Sequence, residues 1–486
     1  MKSRKAEHAR RLVALIGITL AALTSPAAHA DLMIQNVTII DPLAGETPDQ
    51  DILIGSEVIQ AVGPHGSIAT FAPVETIDGT GKFLIPALWD AHVHLTFDPE
   101  IGDAALPLFV ANGITRVRDT GGLLDKMLGV KERASAMGHA APDIYFSGPL
   151  IDGIPRVYDG SPASYPDISS GTLTPEDARQ EVDRLADAGV HFLKSYEMLR
   201  PETFQALVTR ATERGLPVTS HVPLSMDAGD VARAGVRGME HLRNLDLSCS
   251  SEADDLLTQR QAMLNDGGAM EGSSLRASIH AAQRPVAFES RSETRCADLI
   301  ATMAAHRVFQ TPTLALNTRA AFRHFAAKEW QDTYAYLPDT ARTTWGKLTE
   351  NATAAGKDPA HIAFSDWSLS MVRQLHDAGV PIMAGTDTPI GLLTPGFSLH
   401  LELERLVQAG LSPQQALATA TVRPAEFFNL NEKMGTIEVG KSSDIVLLSA
   451  NPLVDIRNTK SVDTVFVRGA RLSRADLDAL LVSATR

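Results

Sequence analysis

Positive charge, cysteine and long apolar runs are all scarce in this chain of 486 residues. The formal net charge is −14, which argues against a nucleic-acid or anionic-membrane partner because either would need a basic face. The two cysteines, Cys249 and Cys296, exclude a cysteine-rich zinc site. Beyond residue 30 no segment reads as transmembrane. Since 44% of the residues are hydrophobic, we expect a large core in a soluble protein.

The first 30 residues predict a cleaved targeting segment. A basic stretch, MKSRKAEHARR, precedes 12 apolar residues, LVALIGITLAAL, which are too few to span a bilayer. The AHA at residues 28–30 has the small-x-small form of a signal peptidase site, so we predict cleavage after Ala30. Arg10 and Arg11 are compatible with both twin-arginine and ordinary export. We therefore expect an exported protein, periplasmic or secreted.

The two cysteines lie at the ends of a polar segment between residues 249 and 296. In an exported chain they could pair and staple that segment, whereas a buried free pair is the alternative. Sequence spacing cannot supply the Cα separation that a disulfide requires, so the pairing stays open.

Both ends of the mature chain have the pattern of short strands. Near the start, β-branched residues are frequent in LMIQNVTIID and DILIGSEVIQAVG. Near the end, the same pattern occurs in EVGKSSDIVLL and VDTVFVRGARL. Turn residues separate these segments. We predict one small β-sandwich domain built from residues 31–82 and 431–486.

The intervening residues 83–430 alternate strand-like and helix-like segments. Eight strand candidates are nearly continuous in apolar character, which is typical of a parallel sheet covered by helices. Eight such units predict a (β/α)8 TIM barrel. Three excursions, at residues 152–171, 243–297 and 317–365, follow strand ends, where barrel enzymes bind their substrates. We expect these excursions to form lids or substrate walls.

His92 and His94 stand one residue apart in the first barrel strand, within LWDAHVHLTF. Alternation along a strand directs both side chains, with Asp90, to one face. Two unpartnered imidazoles are costly to bury, so the pair is either satisfied by core partners or binds a metal. The two histidines alone do not decide between these alternatives.

Other strand ends carry further metal-binding groups. His221 ends the fifth strand, His241 the sixth and Asp387 the eighth. Each has a separate structural explanation, but four histidines and a carboxylate at barrel strand ends together favour zinc or a similar divalent ion.

Lys194 lies in the fourth strand, within HFLKSYEM. A buried ammonium would be repelled by metal cations, so the lysine either extends outward to an acid or reacts with carbon dioxide. The resulting carbamate is anionic and offers two oxygens, which could bridge two metals. Under that hypothesis Lys194 is itself a ligand.

These residues, with FLIPALWDAHVHL, FLKSYE, GMEHL, AGTDTP and EVGKSSDIVLL, resemble the amidohydrolase superfamily, and most closely its imidazolonepropionase-like and prolidase-like members. The resemblance covers residues 32–470 and implies two divalent metal ions, with zinc the expected element. It assigns His92, His94 and Asp387 to one ion and His221 and His241 to the other. Lys194, as N6-carboxylysine, would bridge them. Asp387 would also move the proton from the attacking hydroxide to the leaving group.

Three further residues are candidates for substrate binding. Tyr196 shares the inward face of Lys194 and could donate a hydrogen bond to the oxyanion, although a structural tyrosine is an equal alternative. Arg118 ends the second strand and could bind a substrate carboxylate, but an ion pair is favoured. His400 could face the pocket or lie on a helix surface.

The leading functional prediction is hydrolysis of a small amide, such as a dipeptide or an N-acyl amino acid. Hydrolysis of a lactone, ester or cyclic amide is the alternative, because the same hydroxide attacks either carbonyl. Deamination is disfavoured, since the resemblance would require a glutamate where Leu224 stands. A non-catalytic metal-binding protein is the remaining alternative. The partner would be a small molecule, and the oligomeric state stays open, a homo-oligomer included.

Overall fold

The structure is a computed structural model that describes residues 32–70, 74–267 and 270–485. The predicted leader at residues 1–30 lies outside the described residues. The strands are β1 Leu32–Asp41, β2 Gly45–Ile54, β3 Ile59–Pro64, β4 Glu75–Asp78, β5 Phe83–Pro86, β6 Leu88–Val93, β7 Ile114–Asp119, β8 Asp143–Phe146, β9 Leu150–Asp152, β10 Ser169–Gly171, β11 Leu193–Ser195, β12 Val218–Ser220, β13 Gly238–Glu240, β14 Phe309–Thr311, β15 Ile445–Leu448, β16 Val462–Val467 and β17 Ala470–Leu472.

The α-helices follow the barrel strands and fill two of the three excursions. They are α1 Ala105–Ala111, α2 Leu124–Met137, α3 Pro175–Asp187, α4 Pro201–Glu213, α5 Ala228–Arg233, α6 Leu245–Ser248, α7 Ala253–Asp266, α8 Gly272–Glu289, α9 Glu293–Ala305, α10 Leu314–Asn317, α11 Arg319–Phe322, α12 Lys328–Gln331, α13 Asp339–Ala354, α14 Pro359–Asp377, α15 Phe397–Gln408, α16 Pro413–Thr419, α17 Val422–Phe427 and α18 Arg474–Ser483.

Strands from the two ends of the chain meet in one eight-stranded sheet. Its order is β17-β16-β15-β5-β1-β2-β3, and β4 pairs with β1. The alternating β-branched residues of β1 place Ile34 in an apolar cluster with Ile52 and Phe466, all of which are fully buried. The sheet joins the termini directly, because β15 pairs antiparallel with β5.

The barrel is closed by parallel strands in the predicted order. β6, β7 and β8 pair side by side, as do β11, β12, β13 and β14. The amide of His191 donates to the carbonyl of Phe146 and joins the two sets. Residues 381–388 take the place of the eighth strand without forming a regular one, since Gln310 donates to Pro381, Ala91 donates to Ala384, and Ile382 and Thr388 form isolated parallel bridges. The predicted α/β fold, a TIM barrel with a β-rich domain from both termini, is confirmed.

Local sequence rules account for the outer helices. Thr174 caps α3, accepting from the amide of Asp177, whose side chain accepts in return from the amide of Thr174. Ala178, Val182 and Leu185 form the buried stripe that their spacing predicts. Among the described residues no helix is both long and apolar enough to cross a membrane.

The second excursion, residues 243–297, is tied at its base. A disulfide joins Cys249 to Cys296, whose Cα atoms are 4.4 Å apart. Beside it, the amide of Ser251 donates to Ser290 and the amide of Ser292 donates to Cys249. The pairing that the sequence left open is therefore present, and α7 and α8 lie between its two ends.

Candidate metal centre

All six predicted ligands line one cavity of about 110 Å³ at the carboxyl ends of the barrel strands. Every one of them is buried. They come from five different strands, so only the closed barrel brings them together. The set comprises His92, His94, Lys194, His221, His241 and Asp387.

His92, His94 and Asp387 form the tightest group, with one donor atom from each within 4.8 Å of the others. The Nε2 atoms of both histidines lie 3.2 Å from Oδ1 of Asp387. Yet His92 Nε2 and Asp387 Oδ1 are buried without a hydrogen-bond partner. Buried polar atoms that converge without bonding each other fit ligands around a shared cation.

Each histidine of the site has a hydrogen-bonding partner at its Nδ1 atom. His92 contacts Oε2 of Glu240 at 2.7 Å, and His221 contacts Oε1 of Glu197 at 2.7 Å. His94 lies 3.0 Å from the carbonyl of Gly121, and His241 lies 2.7 Å from the hydroxyl of Thr313. These partners fix each ring so that Nε2 faces the cavity, which is the usual arrangement of metal-binding histidines.

His241 and Asp387 have left-handed backbone conformations, with φ of 59° and 68°. Such values are uncommon for residues other than glycine and occur most often where function requires them. Burial alone would raise the pKa of Asp387, but the neighbouring His241 and His92 hold it well below its usual range. The carboxylate is thus kept in the ionised form that a metal ligand requires.

Lys194 is 1% exposed, and its Nζ has no hydrogen-bond partner among the described residues. Burial lowers the pKa of its ammonium to about 8. Lys194 therefore lines the cavity and does not extend outward to an acid, as the alternative hypothesis requires. Its lowered pKa favours the neutral amine, which is the form that reacts with carbon dioxide.

Tyr196 lines the cavity beside Lys194, as strand alternation predicted. Its ring lies over that of His221, with centroids 4.3 Å apart. Burial raises the pKa of Tyr196 well above its usual value, so the hydroxyl remains a hydrogen-bond donor. The remaining walls include Phe97, Leu150, Tyr158, Ile168, Arg243 and Arg276.

The structure places Arg118 and His400 away from the cavity. Arg118 donates to Oε1 of Glu240 at 2.6 Å and is fully buried, so it forms the ion pair and has no access to substrate. His400 lies 2.9 Å from the hydroxyl of Thr459 and is 1% exposed. Neither residue lines the cavity, and each has a partner within the protein interior.

Two buried carboxylates, Glu197 and Glu240, support the site and were not among the predicted residues. Glu240 holds His92 and also accepts from Arg118 and Thr219. Glu197 holds His221 and lies 3.2 Å from both Arg276 Nε and His280 Nε2. The signal that could have identified them is their position near predicted ligands. Glu197 follows Lys194 in KSYE, and Glu240 precedes His241 in MEHL.

The chain is similar in sequence or fold to several known proteins. A dihydroorotase from Pelotomaculum thermopropionicum is 24% identical over 428 residues, which are 86% of this chain and 88% of that protein. An imidazolonepropionase from Thermoplasma volcanium is 29% identical over 109 residues, 22% of this chain and 26% of that protein. A solved Xaa-Pro dipeptidase with methionine bound in its active site shares the fold, with a TM-score of 0.66 at 17% identity over 91% of this chain and 100% of that one.

The amidohydrolase family model matches residues 83–472. That range contains all six cavity donors and most of the chain. We conclude that this protein belongs to the amidohydrolase family and is a hydrolase acting on carbon–nitrogen bonds.

Proposed function

We propose that this protein is an exported hydrolase with two metal ions that cleaves the amide bond of a dipeptide, an N-acyl amino acid or a similar small amide. The observation that carries the proposal is the convergence of four imidazoles, one carboxylate and one unpaired lysine on a single cavity. Such a donor set exceeds what one divalent ion needs.

We assign His92, His94 and Asp387 to one ion and His221 and His241 to the other, with Lys194 between them. Zinc suits this set, because imidazole and carboxylate are among its preferred ligands. When bound, two such ions supply a hydroxide nucleophile near neutral pH and polarise the substrate carbonyl.

In this proposal Lys194 is carboxylated. The neutral amine attacks carbon dioxide, one N–C bond forms, and a proton leaves the nitrogen, so the product carbamate carries one negative charge. That change converts the one cationic group among the six donors into an anionic ligand. The lowered pKa and the missing hydrogen-bond partner of Lys194 support the assignment.

Asp387 and Tyr196 are the residues to which we assign chemistry on the substrate. A carboxylate oxygen of Asp387 takes the proton of the attacking water and delivers it to the leaving nitrogen. Its Oδ1 atom lies 3.2 Å from two imidazole nitrogens but has no hydrogen-bond partner of accepted geometry among the described residues. The Tyr196 hydroxyl donates to the carbonyl oxygen as negative charge develops there.

A cyclic amide, lactone or ester is the second candidate substrate. The similarity to a dihydroorotase over 428 residues favours a cyclic amide within this group. Deamination remains disfavoured, because Leu224 is a buried apolar residue that cannot transfer a proton.

Export is part of the proposal. The leader-like residues 1–30 and the disulfide between Cys249 and Cys296 both support an oxidising compartment outside the cytoplasm. Detection of the mature chain, beginning after Ala30, in a periplasmic or culture fraction would test it.

The proposed activity is tested by screening zinc-reconstituted protein against dipeptides, N-acyl amino acids, cyclic amides, esters and lactones. We expect amide turnover and close to two metal ions per chain. Lys194→Ala should lose metal and activity, whereas full activity in that variant would refute the carbamate bridge. If the metal-loaded protein hydrolyses nothing in the panel, the non-catalytic alternative gains.

A further inference from the structure

A larger chamber adjoins the metal-centre cavity. It has a volume of about 470 Å³, against about 110 Å³ for the inner cavity. The two share Arg243, Leu316 and Ile390 as lining residues, so they are adjacent. We call this outer chamber the vestibule. A substrate larger than the inner cavity must extend into it.

The vestibule is lined by four arginines and by no aspartate or glutamate among the described residues. Arg243 and Arg284 come from the second excursion, and Arg319 and Arg323 from the third. Net charge over the whole chain is −14, so this lining has the opposite sign to the protein around it. A cationic entrance on an acidic protein attracts anions locally.

The protein satisfies these guanidinium groups only in part. Arg243 Nε and Arg284 Nε are buried without a hydrogen-bond partner, although Glu197 and Asp246 lie 3.5 and 3.3 Å away. Arg319 is exposed, and no ion pair or hydrogen bond of its side chain is found among the described residues. Unmet donors facing a cavity indicate a ligand with acceptors.

Arg323 has a structural role. It donates to the main-chain carbonyls of Ala352, Thr353 and Gly356, so it fixes the third excursion. Of the three remaining arginines, Arg243 and Arg284 each pair with one carboxylate and keep further donors, and Arg319 has no such pair among the described residues.

We propose that the vestibule binds a carboxylate of the substrate, remote from the scissile bond, through Arg243, Arg284 and Arg319. A carboxylate matches the planar fork of a guanidinium, which accounts for arginine rather than lysine at all three positions. This inference rests on the proposed amide hydrolysis and narrows its substrate to acidic amides. Arg243, Arg284 and Arg319 are specificity-determining residues.

The direct test compares kcat/KM for substrate pairs that differ only in a distal carboxylate or carboxamide, such as dipeptides with Glu against Gln or Asp against Asn. We expect the acidic member of a pair to be favoured roughly tenfold, the size typical of a charge-assisted hydrogen bond. The preference should shrink as salt rises from 0.05 to 0.5 M (about a threefold shorter Debye length). Equal kcat/KM within every pair would overturn the inference.

Arg319→Gln is the first variant, because an exposed arginine without a partner can be changed without harming the fold. It should lower kcat/KM for the acidic substrate several-fold more than for the carboxamide substrate. The double variant Arg284→Gln/Arg319→Gln should remove most of the preference, and a preference kept in full would overturn the inference. Arg179→Gln, on the exposed face of α3 beside Glu176, is the matched control and should behave as wild type.

A binding measurement separates this inference from the proposed function. Glutarate should raise the Tm of the wild-type holoenzyme, glutaramide should not, and the double variant should respond to neither. If no amide is hydrolysed but glutarate still discriminates wild type from the double variant, the proposed function fails and the vestibule site stands. If amides are hydrolysed and glutarate has no effect on either protein, the vestibule site fails.

Discussion

Glu240→Gln should weaken both the metal centre and the fold, because one buried carboxylate serves both. Its Oε2 lies 2.7 Å from His92 Nδ1, and its Oε1 lies 2.6 Å from Arg118 Nη2. The side chain is fully buried, and the neighbouring Arg118 and Lys194 hold its pKa well below the usual range against the effect of burial. An amide keeps the shape of the side chain and removes its charge.

Two magnitudes follow from these contacts. Removing one partner of a buried ion pair leaves Arg118 uncompensated, which costs about 3–5 kcal/mol of unfolding free energy. Losing the carboxylate behind a metal-binding histidine lowers metal affinity by roughly 10–100-fold. Chemical denaturation of the metal-free protein measures the first, and competition with a zinc chelator measures the second.

The double variant Glu240→Gln/Arg118→Met separates the two effects. Arg118 lies between the rings of Phe192 and Phe427, at 5.2 and 4.9 Å, so a methionine fits that apolar site. Stability should then recover most of its loss, while zinc affinity should stay low. Wild-type zinc affinity in the double variant would refute the orienting role of Glu240, and an unchanged unfolding free energy in Glu240→Gln would refute the ion-pair argument.

Three further outcomes are expected. Asp387→Asn should keep the fold and lose at least about 100-fold in kcat/KM, since it removes proton transfer, and a wild-type rate would contradict the assignment. Burial and Lys460 lower the pKa of His400 from 6.5 to about 3, so below pH 6.5 the unfolded chain takes up a proton that the folded chain excludes. The unfolding free energy should fall by about 2 kcal/mol between pH 7 and pH 5 from this residue, and His400→Gln should lose that much less. Cys249→Ser/Cys296→Ser should lose up to about 4 kcal/mol of unfolding free energy, because the disulfide closes a sequence separation of 47 residues, and should keep its metal. Resistance to protease within residues 250–295 equal to that of the wild type would contradict this.

The barrel and the six cavity donors were predictable because both depend on repeated local patterns. Each barrel strand is a short apolar segment, and the predicted ligands stand at or just beyond the strand ends, where parallel strands meet one edge. Tyr196 was placed correctly by alternation from Lys194.

Alternation failed for the two carboxylates behind the histidines. Glu240 is the last residue of β13, and alternation would direct it away from His241. The left-handed conformations of His241 and Leu242 end the strand geometry there, so the rule no longer applies. Glu197 lies two residues beyond the end of β11, where the same rule has stopped.

The vestibule was beyond prediction from sequence. Its arginines come from two excursions, and no local pattern brings Arg284 near Arg319, which lies 35 residues later in the chain (319 − 284). Arg118 and His400 were assigned to substrate for a related reason, because sequence position alone does not show which buried partner a side chain finds.

The disulfide at the base of the second excursion has a consequence for how the substrate specificity of such an enzyme evolves. Residues 250–295 leave and re-enter the barrel at Cys249 and Cys296, whose Cα atoms are 4.4 Å apart. This segment carries Arg276 and Arg284. None of the six metal-binding candidates lies within that segment. Residues 250–295 can thus diverge as one unit and change part of the recognition surface while the six metal-binding candidates stay unaltered.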